Sequence, residues 1–395
     1  MKVMLFDNTI KRDDKPKGKA EPLFNYLNRS NRKSLQEIRN LLEAWFLRYP
    51  SEHQGDLKVR FCSDDDLNHQ SAFFELYMHE LLLKMDCEVD IHPEIKEVSK
   101  HPEFLVFQNG NPVFYLECTL AVGPKDDVAA KKRESIVYET LDKTHSPNFF
   151  LEIKIIKYSK TPPSGAKWRR ILEAKLSELN PDELQIEDKE LDSLPKWILK
   201  DKGWEVVFVP IPKSPEARGK LGIRPVGITW FGPLWVKDHI HIRNSINEKA
   251  TKYGDLDLPY IIAVNVISYF LDDISIEEAL FGDEVVTAYR NSDGSFGHRP
   301  GRKRNGSWLG PKGPQNTRVS GAVIFDYLLW GNITKTNSIF WHNPWAKRPL
   351  SPENWPLTQK KVDLQNGNIE RIKGKKPCEI FNLPADWPFI EKNKD

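Results

Sequence analysis

Three glutamates carry the chemistry that this sequence can most readily support. Glu75 falls on a long segment with helical apolar spacing. Glu103 opens a β-rich run, His101-Pro102-Glu103-Phe104, and Glu117 lies in a second one, Tyr115-Leu116-Glu117-Cys118-Thr119. Cleaving a phosphodiester calls for a divalent cation that polarises the phosphate and lowers the pKa of an attacking water. Mg²⁺ or Mn²⁺ suits a few carboxylate and carbonyl oxygens and keeps several waters. Two carboxylates from neighbouring strands and one from a flanking helix meet that need, aided by the Cys118 backbone carbonyl.

Whether Glu103 and Glu117 meet depends on hairpin register. The two runs flank Asn109-Gly110, a strong turn signal. A two-residue turn pairs positions that sum to 219, which sets Glu103 opposite Leu116 and sends Glu117 to the other face. A three-residue turn over Asn109, Gly110 and Asn111, or a β-bulge, gives a sum of 220. Glu103 then faces Glu117 with Cβ atoms ~4.5–5.5 Å apart. We expect one of these two arrangements. Glu117 and Thr119 then share a face, while Phe114, Leu116, Cys118 and Leu120 enter an apolar layer.

The elements that must hold these residues are legible as periodicities. Phe73, Phe74, Tyr77, Met78, Leu81, Leu82 and Met85 recur at helical spacing. Glu88–His92, Glu103–Phe107 and Val113–Ala121 read as strands, Val128–Leu141 as a helix and Phe149–Tyr158 as a strand. The order is helix, three strands, helix, strand. Ser34–Tyr49 is a further helix, with Ser34 as its expected cap. Beyond the breaker Thr161–Gly165, helices are expected at 167–179, 238–253 and 276–280. Strands are expected at 204–211, 226–231, 260–267, 319–328 and 339–341. This alternation argues for α/β architecture. We therefore expect a leader and helix over 1–60, a core over 61–160, an α/β elaboration continuing the sheet over 161–345, and an irregular Pro- and Trp-rich arm over 346–395.

From Asp64 to about Lys160 the chain resembles the restriction-endonuclease-like PD-(D/E)XK nuclease superfamily, in its carboxylates and in its element order. The resemblance implies a restriction-endonuclease-like core and a Mg²⁺-dependent endonuclease. The family's Pro-Asp is Pro102-Glu103 here, one methylene longer, and its acidic strand position is Glu117. Its lysine is replaced by Thr119, which would hydrogen-bond the attacking water or a phosphate oxygen; Lys131 or Lys132 could reach in from the next helix. Glu75 matches a helix glutamate that some members use to complete the metal site. The chain also resembles a set of bacterial proteins through Pro102-Glu103-Phe104-Leu105, Tyr115-Leu116-Glu117-Cys118-Thr119, and Trp308-Leu309-Gly310-Pro311 through Arg318-Val319-Ser320. That likeness implies that Thr at the lysine position is a family habit. Bacterial defence against phage or plasmid DNA is the setting it suggests by analogy.

A second candidate is the stretch from Gly294 to Arg318, which holds no acidic residue. Arg302, Lys303 and Arg304 would grip phosphates there and Trp308 would stack a base. The plainer reading is a solvated loop whose Trp packs back on the core. Lys131-Lys132-Arg133 and Trp168-Arg169-Arg170 add cationic patches, the first on the helix after the carboxylates. His239 and His241 have metal-compatible spacing but no partner cluster, and His342 sits in an aromatic run.

Composition bounds these readings. Lys plus Arg number 58 against 56 Asp plus Glu, a net charge of +2 that excludes a polybasic tail protein. No apolar run approaches the ~18 residues of a membrane helix. The charged residues through Met1–Lys15 offer no signal core, and Cys62, Cys87, Cys118 and Cys378 form no C-x-x-C pair. A cytoplasmic, reducing setting is expected. Neither a G-x-S-x-G elbow nor a phosphate-binding P-loop is present. The leading expectation is a metal-dependent nuclease acting on DNA or RNA, alone, as a homo-oligomer or beside a partner protein of a defence complex. The main alternative is a catalytically decayed module that binds nucleic acid or a partner. A structural protein with no salt-sensitive nucleic-acid affinity is the third reading.

Overall fold

The structure, a computed structural model, describes all residues except 1–2, 8, 96–99, 124, 185–193, 221–224, 227–237, 269–270, 291–294 and 390–395. The first half of the chain runs α1 (Leu23–Arg29), α2 (Lys33–Phe46), α3 (Gln54–Phe61), α4 (Asp66–Lys84), β1 (Glu88–Ile91), β2 (Phe104–Gln108), β3 (Asn111–Ala121), α5 (Lys125–Leu141), β4 (Phe149–Lys157), α6 (Gly165–Ser177), β5 (Trp197–Asp201) and β6 (Trp204–Pro212). There follow α7 (Asp238–Ala250), β7 (Tyr260–Val266), α8 (Asp273–Phe281), β8 (Glu284–Arg290), β9 (Phe296–Arg302), β10 (Leu309–Gly310), β11 (Gly313–Pro314), β12 (Gly321–Asp326), β13 (Ser338–His342), β14 (Gln359–Val362), β15 (Ile369–Ile372) and α9 (Pro377–Phe381).

The chain forms two compact units. One comprises residues 1–15, 22–123 and 236–395, and the other 16–21 and 124–235. The larger unit is built on an eight-stranded mixed sheet in the order β1-β2-β3-β7-β12-β13-β14-β15. β1, β2 and β3 form an antiparallel meander, whereas β7 lies parallel to β3 and β12 parallel to β7. A parallel neighbour needs a crossover, and α7 provides it. β7, Tyr-Ile-Ile-Ala-Val-Asn-Val, is buried at every residue, as a central strand covered on both faces must be.

The two sheet faces carry separate cores. On one, Phe104, Phe114, Leu116 and Cys118 pack with apolar residues of α1 to α4. On the other, Tyr115, Ile262 and Val264 pack with Ile242 and Ile246 of α7 and Leu280 of α8. α4 begins at Asp65, whose carboxylate accepts the Leu67 and Asn68 amides at 2.9 and 3.2 Å. It is buried on most sides, so its polar residues Glu75, His79 and Glu80 are interior groups that need partners.

The smaller unit holds α5, α6 and a three-stranded antiparallel sheet, β4-β6-β5. Val137 and Leu141 of α5, Trp168 and Leu172 of α6, and Phe208 of β6 share its core. This corrects two expectations. Phe149–Lys157 is a strand, as expected, but it belongs to this smaller sheet and pairs with β6, while β7 lies beside β3, so the restriction-endonuclease-like core does not close with it. The chain between Lys125 and Pro212 does not extend the main sheet, although β7, β12 and β13 do. The expected strand from Val226 to Phe231 lies, from residue 227 on, outside the described residues.

Two further expectations change. The C-terminal arm is not irregular throughout, since β14 and β15 complete the sheet edge. Phe381 stacks on Trp45 with ring centroids 5.1 Å apart, so its aromatic content is core. α2 starts one residue before Ser34 and makes no side-chain cap. Among the described residues no helix is long and apolar enough to cross a membrane. All four cysteines are free thiols.

Candidate active site

The hairpin between β2 and β3 sets the site. Asn109 and Gly110 have φ of 51° and 75°, the left-handed pair of a two-residue turn. Near the turn, Phe107 pairs with Pro112 and Gln108 with Asn111, a sum of 219. A bulge between Val106 and Phe107 then shifts the register, so that Phe104 pairs with Leu116, a sum of 220. One step further on, this brings Glu103 level with Glu117. The Glu103 carboxylate accepts the Cys118 backbone N–H.

Glu117 is fully buried. Strand alternation points it and half-buried Thr119 toward α7, away from Leu116 and Cys118. Its Oε1 accepts the ammonium groups of Lys249 and Lys252, each at 2.7 Å. Its Oε2 contacts the hydroxyl of Tyr253, whose oxygen also lies 2.8 Å from the His101 carbonyl. A phenol has one proton. With Glu117 ionised that proton goes to the carboxylate; with Glu117 protonated, the chain runs from Glu117 through Tyr253 to His101.

The charges act on one another. Burial and the neighbouring Glu117 push the Glu103 carboxyl up to about 8, against the pull of the Cys118 amide and Lys249. Burial works against the Lys249 ammonium, yet Glu117 and then Glu103 outweigh it and raise its pKa. The Tyr253 phenol is raised by burial and by Glu117. Two acids held together inside a protein favour a cation between them, and lysine nitrogens hold part of that role here.

Glu75 lies on the other side of the sheet's chemistry. The Tyr49 hydroxyl donates to its Oε1 at 2.6 Å and the Arg60 guanidinium to its Oε2 at 2.7 Å. Both its oxygens are therefore engaged by protein groups, while its charge still acts on Glu103 and on the Cys118 thiol. Among the described residues no group of three His, Cys, Asp or Glu side chains converges as metal ligands. The donor set that fits Mg²⁺ or Mn²⁺ is the hard-oxygen pair Glu103 and Glu117, with the Glu75 oxygens held by Tyr49 and Arg60.

The expected nucleic-acid contacts fare differently. Trp308 is fully buried, its ring edge-on to Phe281 at 5.6 Å, so it is core and offers no face to a base. Arg302 is paired to Glu277 and Glu284 at 2.9 and 2.7 Å, and Lys303 to Asp283 at 3.6 Å. Arg304 is exposed. The stretch that looked free of acids is thus neutralised by acids from α8 and β8. Lys131, Lys132 and Arg133 belong to α5 in the smaller unit, with Lys132 exposed and Arg133 half-buried. His239 lies 3.6 Å from Glu278, and buried His342 bonds Gln359 at 2.6 Å.

Sequence reasoning passed over Lys249, Lys252 and Tyr253. Their i, i+3, i+4 spacing at the end of a helix was a usable signal. The helix next in sequence after β3, α5, offers Lys131 and Lys132 instead, but it belongs to the smaller unit. No protein-family model, no curated protein and no solved structure matches the chain.

Proposed function

We propose that this chain hydrolyses phosphodiester bonds of DNA or RNA at the Glu103–Glu117 pair, which would hold Mg²⁺ or Mn²⁺. The observation that carries this reading is the bulged register that sets partly buried Glu103 beside buried Glu117, with Lys249 2.7 Å from Glu117. A bound cation would polarise the phosphate and acidify the attacking water. Lys249 would take the charge-stabilising role that the resembled superfamily gives to the strand lysine, where this chain has Thr119. The order α4, β1, β2, β3, α7, β7, with β3 and β7 parallel, supports a restriction-endonuclease-like core split by the smaller unit. Lys252 is the more exposed of the two lysines, 28% against 17%, and is the one a cation would displace. Lys132, Arg133 and Arg304 remain as candidate phosphate contacts.

The test is cleavage of labelled single- and double-stranded DNA and RNA with Mg²⁺, Mn²⁺ or EDTA. Cutting should need the metal and vanish in Glu117→Gln and Lys249→Ala. Equal cutting by wild type and Glu117→Gln refutes the assignment.

One observation favours a second reading, a decayed nuclease fold that binds nucleic acid or a partner protein. Both Glu117 oxygens already have protein partners. On this reading no polymer is cut under any metal, yet a gel shift appears and weakens steeply with salt.

A further inference from the structure

The helical layer of the larger unit holds a polar site that the proposed reaction does not use. A cavity of about 380 Å³ is lined by Phe6, Arg12, Asn31, Arg39, Asn40 and Glu43, among others. Arg39, on α2, is only 5% exposed. Its Nη1 donates to the Leu27 and Ser30 carbonyls at 2.6 and 2.8 Å, at the end of α1. A guanidinium has five N–H donors. Those on Nε and Nη2 meet no acceptor among the described residues, and no acid pairs with Arg39 there. Arg12 is likewise bonded only to carbonyls, those of Asn28 and Asp7, each at 3.1 Å.

Two guanidinium groups thus face one cavity, with no acid in a salt bridge to either among the described residues, although the exposed Asp7 carboxylate feels the Arg12 charge. Glu43, the acid on the wall, already accepts the Leu5 and Phe6 amides at 2.9 to 3.1 Å. Burying a charge without a counter-charge is expensive. Burial and the nearby Arg12 charge lower the Arg39 pKa to about 10, which records the same unfavourable field.

We propose that this cavity binds a small phosphate-bearing ligand, with the anionic head between Arg12 and Arg39. The planar fork of arginine matches phosphate oxygens in pairs. The volume lies in the ordinary small-molecule range of roughly 300–1,000 Å³ and exceeds what phosphate alone fills. Phe6 and the amides of Asn31 and Asn40 line the rest, which suits a phosphomonoester with a polar ring, of mononucleotide size. This assignment does not depend on the nuclease reading.

Calorimetric titration of the full chain tests it, in phosphate-free buffer with EDTA. The probes are adenosine monophosphate, inorganic phosphate and adenosine. Saturable binding is expected for the monophosphate, weaker binding for phosphate and none for adenosine. Arg12→Gln should weaken the monophosphate at least about tenfold, the loss of one charge-assisted contact. If that variant does not fold, Asn40→Asp, at an exposed position on the same wall, should abolish binding by adding a negative charge. No saturable binding of either phosphate probe overturns the proposal. So does adenosine binding as tightly as its monophosphate, or affinity unchanged in the variant.

Discussion

Glu75 and Glu117 are two buried carboxylates served from opposite faces of one sheet, and they are neutralised in different ways. Glu75 is held by Arg60, which Asp56 also anchors at 2.8 Å, and by Tyr49. Glu117 is held by two lysines and Tyr253, with Glu103 alongside. A guanidinium fork with its own second acid is a fixed pairing, whereas two ammonium groups are point charges that a metal ion can replace. Glu103 bonds the strand that carries Glu117, and Glu117 acts on its carboxyl more strongly than Glu75 does. A buried acid with a cation is not by itself a site; the stronger like-charge coupling distinguishes the two.

The largest effect is expected from removing each acid in turn. Glu117→Gln leaves Lys249 and Lys252 facing each other in a mostly buried place, and should cost about 2–4 kcal/mol of folding stability. Glu75→Gln leaves Arg60 its Asp56 partner and should cost about 1–2 kcal/mol. Urea denaturation of the two variants measures this. Equal losses would erase the distinction between a locked pair and a strained one.

How much of this was legible in the sequence follows from the same residues. The register was, because a Glu at the start of one strand and a Glu in the next meet only if the Asn109-Gly110 hairpin carries an extra residue. The lysines were not, because the residues that separate β3 from α7 form a unit of their own, and adjacency in sequence suggested α5 instead. Glu75 was placed correctly on a helix, but its partners Tyr49 and Arg60 lie in segments whose packing no local pattern reveals. For Trp308 the plainer reading, a Trp packed back on the core, is the one the structure has. A Gly-rich basic run reads as exposed, while the core that takes its Trp is built from α7, α8 and β13.

The next effect separates the faces by pH. A carboxyl whose folded pKa exceeds its unfolded value binds its proton more tightly in the native chain. Its contribution is therefore whole below the unfolded value of ~4.3 and is lost as pH rises toward about 8. Stability should fall across that window as the Glu103 proton is lost. Glu103→Gln should flatten that part of the profile, and Glu75→Gln should shift it to lower pH by less than Glu117→Gln does, since Glu117 is the larger of the two charges acting on Glu103. Mg²⁺ should raise the melting temperature more at pH 8 than at pH 5, and not in the Glu103→Gln/Glu117→Gln double variant. An unaltered slope in Glu103→Gln would place the titration elsewhere.

A smaller effect is expected from the lysines. Lys252→Ala frees part of Glu117 for a cation and should tighten Mn²⁺ binding, read by titration calorimetry. Lys249→Ala removes the ammonium that also faces Glu103, and should abolish cutting while metal still binds. If the two variants behave alike, the lysines are interchangeable counter-charges and Lys249 loses its proposed role.

The smallest effect belongs to the hydroxyls, and it probes the proton shared at Glu117. Tyr49→Phe and Tyr253→Phe each remove one bond to a buried carboxylate, at about 1 kcal/mol. Arg60 continues to hold Glu75 through one Oε after Tyr49→Phe. Tyr253 stands between Glu117 and the His101 carbonyl with a single proton to give. Its removal leaves the Glu117 Oε2 without that donor and changes the field that Glu117 sets at the raised Glu103 carboxyl. The coupling between Tyr253→Phe and Glu103→Gln in a double-mutant cycle should therefore change between pH 5 and pH 8, and that between Tyr49→Phe and Glu103→Gln should not. A coupling for Tyr253 that stays flat over the same range would mean that the hydroxyl simply packs against the site, and that the two faces of the sheet differ only in their cations.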